Sequence, residues 1–179
     1  MNYSKENKDF RILIVDDVAK NIQVLGSILM AENYQLSYSQ NGKEALAAVK
    51  QNEFDLILLD IMMPVVDGYE VCRQLKSDPK TIDIPIIFLT AKVDKESVVK
   101  GLKLGAVDYV TNPFNADELL ARVRTHLSLK DKTEQLQSMN QILEQKVAER
   151  TVQLKEANEK LSTLEKAKSE FLTIISHEL

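Results

Sequence analysis

The chain's five glycines and four prolines all lie at or before Pro113, and residues 114–179 contain neither. A compact fold must reverse direction repeatedly, and reversals draw on Gly, Pro, Asn and Asp. Residues 1–113 can therefore close into a globular domain, whereas the remainder reads as one uninterrupted helix. Composition bounds the rest. At 179 residues the chain is long enough for one ordinary domain plus an extension. A net charge of -4 gives no global basic field, so no nucleic-acid partner is expected. No apolar run approaches the ~18 residues that span a bilayer, and the start MNYSKENKDF lacks the apolar core of a signal peptide. A cytoplasmic protein with no membrane partner is expected. The single cysteine, Cys72, excludes an internal disulfide framework and a cysteine-built zinc site, and at helical spacing it reads as a small buried hydrophobe.

Within the first part, residues 11–15 (RILIV), 55–59 (DLILL) and 86–90 (IIFLT) are short apolar runs rich in branched side chains. Weaker strand candidates occupy 35–39 and 107–110. Continuously apolar strands imply a sheet covered on both faces. Helical patterns fall between them at 19–31, 43–50, 69–75 and 95–104. Asn41-Gly42 opens the second helix, Asp67-Gly68 opens the third and Gly105 closes the fourth. Alternating strands and helices with short connections predict an α/β domain, a doubly wound five-stranded parallel sheet. Its ligand site should lie outside the carboxyl ends of the strands.

The residues at those ends carry the chemistry. The first strand runs into Asp16-Asp17, the third into Asp60 and the fourth into Thr90-Ala91. A single aspartate at a strand end often serves as a helix cap, and Asp16 or Asp17 could cap the helix starting near Val18. Three carboxylates brought together repel, and one protonates unless a cation compensates. An open cluster of hard oxygen ligands suits Mg²⁺, which keeps waters and accepts a substrate's phosphate. A metal-bound carboxylate facing a phosphate donor can act as a nucleophile and form an aspartyl phosphate. Thr90 is placed to hydrogen-bond a phosphoryl oxygen.

These residues resemble the receiver domain of two-component response regulators. The match rests on Asp16-Asp17, LLDIMMPVVDGYE (58–70), LTA (89–91), GAVDYV (105–110) and Asn112-Pro113-Phe114, and it covers roughly residues 9–128. The resemblance implies a flavodoxin-like fold in which Asp60 accepts a phosphoryl group from an upstream histidine kinase or phosphotransfer protein. It implies that Asp16, Asp17, Asp60 and the backbone carbonyl of Met62 bind Mg²⁺. Thr90 and Ala91 would bind the phosphoryl group, Tyr109 would be the aromatic switch that follows Thr90 inward, and Pro113 would follow a cis bond. Met63 and Pro64 would shape the loop. One position departs from the pattern: receivers usually carry Lys where this chain has Asn112. Asparagine can donate a hydrogen bond but cannot offset charge. Such a receiver is expected to be slow to phosphorylate or poorly coupled to its output, and Mg²⁺ meets no competing cation.

The last receiver helix should begin near Asn115, and nothing afterwards stops it. A heptad places Leu129, Leu136, Leu143, Arg150, Ala157, Leu164 and Phe171 at d, and Thr133, Asn140, Val147, Leu154, Leu161, Lys168 and Ile175 at a. Most are apolar over about six heptads, which predicts a coiled coil, here a parallel homodimer. Asn140 at a would fix register, and Lys160 could pair with Glu165 of a second chain. A helix over residues 115–179 would run roughly 98 Å.

Residues 168–179, KSEFLTIISHEL, resemble the phosphoacceptor H-box of sensor histidine kinases, and 143–161 resemble the signalling helix that leads into it. This implies that His177 is a phosphoacceptor with Glu178 its neighbouring acid. The expected organisation is a receiver over 1–128, a coiled-coil signalling helix over 129–167 and the start of a kinase dimerisation segment over 168–179. The ATP-binding kinase domain is absent, so the chain reads as the front of a longer sensor kinase, with no kinase activity of its own. An alternative is a degenerate receiver that acts as an interaction module without phosphate. A phosphatase-like hydrolase is disfavoured because Met62 stands where a general acid would be needed, and dinucleotide binding because VDDVAKN offers no Gly-rich turn.

Overall fold

A computed structural model describes residues 5–91 and 95–178. After a short turn at Asn7–Asp9, the order is β1 (Arg11–Val15), α1 (Ala19–Ala31), β2 (Gln35–Ser39), α2 (Gly42–Gln51), β3 (Leu56–Asp60), α3 (Gly68–Ser77), β4 (Ile86–Thr90), α4 (Lys95–Lys103), β5 (Asp108–Thr111) and α5 (Ala116–Glu178). The five strands form one sheet in the order β2-β1-β3-β4-β5, with every pairing parallel. The chain reverses its direction of winding between β2 and β3, which opens a crevice beside β1 and β3. This is the flavodoxin-like architecture expected from the sequence.

Between their polar ends at Arg11, Asp60 and Thr90, the three central strands are apolar because side chains alternate between faces and both faces are covered. Leu13, Val15, Ile57, Leu59, Ile86 and Phe88 pack toward Ala45 and Val49 of α2 and Val71, Cys72 and Leu75 of α3. Ile12, Ile14, Leu56, Leu58, Ile87 and Leu89 face Leu25 and Leu29 of α1 and Leu119, Val123 and Leu127 of α5. The last three recur every four residues, which places them on one helix face. Each contributes roughly 1.5–3 kcal/mol of burial.

Helix starts follow local chemistry. Asn41 accepts from the Glu44 N–H at 2.9 Å, Asp67 from the Glu70 N–H at 2.8 Å and Asn115 from the Glu118 N–H at 3.1 Å. Helix α1 excludes the cap role that Asp16 or Asp17 could have taken as an alternative. Its N-cap is Val18, without a side-chain cap, and neither Asp16 nor Asp17 takes that role. Asp16 precedes the cap by two residues and instead accepts the Val18 N–H at 2.8 Å. β3 and β5 each lie one residue later than the apolar runs indicate, because pairing register to β4 decides their limits: Asp60 pairs with Leu89, and Thr90 with Thr111.

The chain divides into two compact units, the first ending at Thr133 and the second running Glu134–Leu179. The end of the first unit is tied by charge. Lys130 reaches the buried Asp55 at 3.2 Å, and Arg124 pairs with Glu32. In the second unit, Leu136, Leu143, Leu154, Leu161, Leu164 and Phe171 are all exposed on the single chain. Among the described residues no helix is long and apolar enough to cross a membrane. Leu179 and the side chain of Glu178, both in the H-box-like segment, lie outside the described residues.

Two glycines set the loop between β3 and α3. A Cβ on Gly68 would lie 2.2 Å from the Asp60 carbonyl oxygen, and one on Gly42 would lie 2.7 Å from the Val66 carbonyl oxygen. Gly68→Ala is expected to cost about 2–3 kcal/mol in urea unfolding, because the backbone beside Asp60 must move. Gly26→Ala, whose Cβ meets nothing nearer than the Tyr38 hydroxyl at 3.4 Å, should be neutral or stabilising by up to about 1 kcal/mol.

Candidate functional site

β1 and β3 are neighbours in parallel register, with Val15 opposite Leu59. The residues that follow, Asp16-Asp17 on one strand and Asp60 on the other, are therefore forced to the same edge of the sheet. Asp16 is buried, Asp17 is exposed and Asp60 is half-buried, and one carboxylate oxygen from each lies within 4.8 Å of the others. Among the described residues no ion pair reaches any of the three.

The electrostatics follow from that isolation. Burial pushes the Asp60 carboxyl up to about 6, with the charges of Asp16 and Asp17 adding to it. The backbone N–H groups of Met62 and Ile61 oppose the rise by bonding to the charged form. Burial, with the Asp17 charge adding to it, also raises Asp16, and the Val18 N–H and the Asn21 amide only partly oppose the rise. The donor set fits a hard divalent cation: three carboxylates offer oxygens within 4.8 Å of one another.

Thr90 ends β4 and is buried, and Ala91 follows it, exposed. The Asn112 N–H donates to the Thr90 carbonyl at 2.8 Å, so the segment after β5 is held against the end of β4. The bond from Asn112 to Pro113 is cis. Thr90 and Tyr109 line one narrow cleft with Ile61, Phe88, Val98 and Leu102. Tyr109 is half-buried, and the Arg122 guanidinium lies 5.4 Å from its ring centre. Arg122 and His126 both contact Asp108, and this draws the Asp108 carboxyl below the usual range despite its burial. The Met62 side chain is 79% exposed, and its N–H rather than its side chain addresses Asp60. Asn140 and His177 belong to the second unit, where both are exposed.

One residue was not singled out from the sequence. Asn21, in the first turn of α1, donates its amide to both Asp16 oxygens, at 2.9 and 3.2 Å. Its oxygen faces the Asn112 amide at 3.5 Å, a long contact. The available signal was a polar amide one helical turn after an acidic strand end, a pattern that also fits a solvated helix start.

The family pattern of the response regulator receiver domain matches residues 12–124. A Vibrio cholerae protein described as "Probable cyclic di-GMP phosphodiesterase" is 44% identical over 143 residues, which cover 80% of this chain and 32% of that protein. The DNA-binding response regulator MtrA of Mycobacterium tuberculosis is 44% identical over 121 residues, covering 68% of this chain and 52% of that protein. The chain thus spans a third to a half of these curated relatives. The solved signal receiver domain of a signal transduction histidine kinase from Syntrophus aciditrophicus superposes with a TM-score of 0.62 at 39% identity, covering 66% of this chain and 90% of that one.

The raised Asp60 carboxyl has a stability consequence. A group whose pKa is higher folded than unfolded favours the fold below its unfolded value, and this is lost as pH rises through the folded value. Without divalent metal, stability should therefore fall between pH 4 and about 6–7. Asp60→Asn should remove most of that fall and gain about 1 kcal/mol at pH 7 after solvent screening. Urea unfolding with chelator across this range measures it.

Proposed function

The chain belongs to the response regulator receiver domain family, and from that premise we propose that it is a phosphoryl-accepting signalling module whose acceptor is Asp60. An Asp60 oxygen attacks the phosphorus of a phosphohistidine or a small acyl phosphate. The bond from phosphorus to the donor breaks with its electron pair leaving on the donor, and a mixed anhydride forms on Asp60. Asp16, Asp17, Asp60 and the Met62 carbonyl are proposed to hold Mg²⁺. When bound, it would offset the negative charge shared by the carboxylates and the incoming phosphoryl oxygens. Thr90 and the backbone at Ala91 would then receive a phosphoryl oxygen, and Tyr109 would follow Thr90 across the cleft they share. The observation that carries this reading is the cluster itself: three carboxylates at adjoining strand ends, each offering an oxygen within 4.8 Å of the others.

The output lies beyond the receiver, and the relatives carry different ones. The names of two similar proteins refer to a cyclic di-GMP phosphodiesterase and to DNA binding, and that of a third to a histidine kinase. For this chain we favour the kinase-linked reading. The sequence KSEFLTIISHEL supports it, with His177 as a second phosphoacceptor. The heptad that leads into it supports a parallel homodimeric coiled coil, with Asn140 setting register. Phosphorylation at Asp60 would alter the surface of α4, β5 and α5, and the continuation of α5 would carry the change to the kinase. A second reading, a phosphate-independent interaction module, is favoured by Asn112 alone, since no lysine charge is present there to couple to a phosphoryl group.

Acetyl phosphate labelling on Phos-tag gels separates the two readings. The chain should give a retarded band that requires Mg²⁺ and vanishes in Asp60→Asn, and Asn112→Lys should increase it severalfold. No band at any Mg²⁺ concentration favours the interaction module, and a band that persists in Asp60→Asn overturns Asp60 as the acceptor. Light scattering should give a dimer that Leu154→Asp with Leu161→Asp converts to a monomer.

A further inference from the structure

We propose that Asn21 is a positioning residue for the acidic cluster, holding Asp16 and tying it to Asn112 through a bridge of neutral amides. This deepens the phosphoryl-acceptor reading and rests on it. Asp16 is the most buried of the three carboxylates, so its orientation is decided by the protein rather than by water. Two groups hold it. The Val18 N–H fixes one oxygen at 2.8 Å, and the Asn21 amide spans both, at 3.2 and 2.9 Å. Asn21 is itself well placed to hold still: its own N–H bonds to the Val18 carbonyl at 2.9 Å in the first turn of α1.

The Asn21 amide has one nitrogen and one oxygen, and the two face different partners. The nitrogen meets Asp16, and the oxygen faces the Asn112 nitrogen at 3.5 Å. Asn112 is anchored through its backbone to Thr90 at 2.8 Å. A path of hydrogen-bonding groups therefore runs from Asp16 through Asn21 and Asn112 to the end of β4. An asparagine at 112 is matched to the asparagine at 21, since one amide donates where the other accepts. A lysine there would have no acceptor preference for an amide over a carboxylate and would bring a positive charge beside the cluster. The neutral bridge orients Asp16 without supplying charge.

Groups that hydrogen-bond a metal-ligating carboxylate typically tune affinity by about 10- to 100-fold. The test is isothermal titration of the full chain with MgCl₂, beside thermal melts in chelator. Alanine is the best helix former, so Asn21→Ala leaves α1 intact, and Asn21→Leu fills the space without an amide. Both should raise the Mg²⁺ Kd by about tenfold or more at a temperature where the metal-free melts show each variant folded, with those melts themselves lowered because the buried Asp16 loses its amide donor. Asn112→Ala should have a smaller effect that disappears in the Asn21→Ala background, because it acts through Asn21. If the unaltered chain binds Mg²⁺ and both Asn21 variants bind within twofold of it, the positioning role is wrong and the acceptor reading stands. If the unaltered chain binds no Mg²⁺, the acceptor reading fails and this inference fails with it.

Discussion

Mutual repulsion among three aspartates is the constraint around which the receiver unit is arranged. Parallel pairing of β1 and β3 delivers Asp16, Asp17 and Asp60 to one edge of the sheet and leaves them no freedom to separate. The cost appears in the Asp60 carboxyl, raised to about 6 by burial and by its two acidic neighbours. A core of fully buried Leu, Ile and Val beneath them supplies the stability that tolerates this arrangement. Gly68 and Gly42 let the loop after Asp60 close down so that backbone N–H groups meet its charge. The same repulsion that weakens the fold would be relieved by a bound cation.

α5 contributes to two units with different surface chemistry. Its first turns are bound to the sheet by Leu119, Val123 and Leu127 and by charges on Arg122, Arg124 and Lys130 that reach Asp108, Glu32 and Asp55. Past Thr133, leucines at heptad spacing are exposed instead. A sustained apolar stripe on a helix is stable in water when another helix covers it. The contact of Arg122 with both Asp108 and the Tyr109 ring places the proposed aromatic switch against the helix that continues into this stripe.

Much of this was legible in the chain before its structure. Apolar runs ending in acids located β1, β3 and β4, and the confinement of Gly and Pro before Pro113 marked where globular packing gives way to helix. β5 was misplaced by one residue because Val107 continues its apolar pattern, while pairing to β4 begins at Asp108. A helix-cap role for Asp16 or Asp17 was the alternative to the acidic cluster, and the structure places all three carboxylates in the cluster, with Val18 as the N-cap. Asn21 was not legible as a site residue. Its role depends on an amide and a carboxylate five residues apart meeting across the turn from β1 into α1, and on a third group, Asn112, that is 91 residues away. Neither closeness is a property of local sequence.

The interplay of charge and metal at the strand ends is tested most directly by the melting temperature of the intact chain with and without saturating Mg²⁺, at pH 7 and at pH 5. Binding to the folded state alone raises stability by RT ln(1 + L/Kd), where L is the free metal concentration. At pH 7 Asp60 is ionised, and Mg²⁺ should raise the melting temperature by several degrees. At pH 5 Asp60 is largely protonated, and the rise should shrink to a small fraction of that. Equal melting temperatures with and without Mg²⁺ at pH 7 would contradict the central claim, as would a rise of the same size at both pH values.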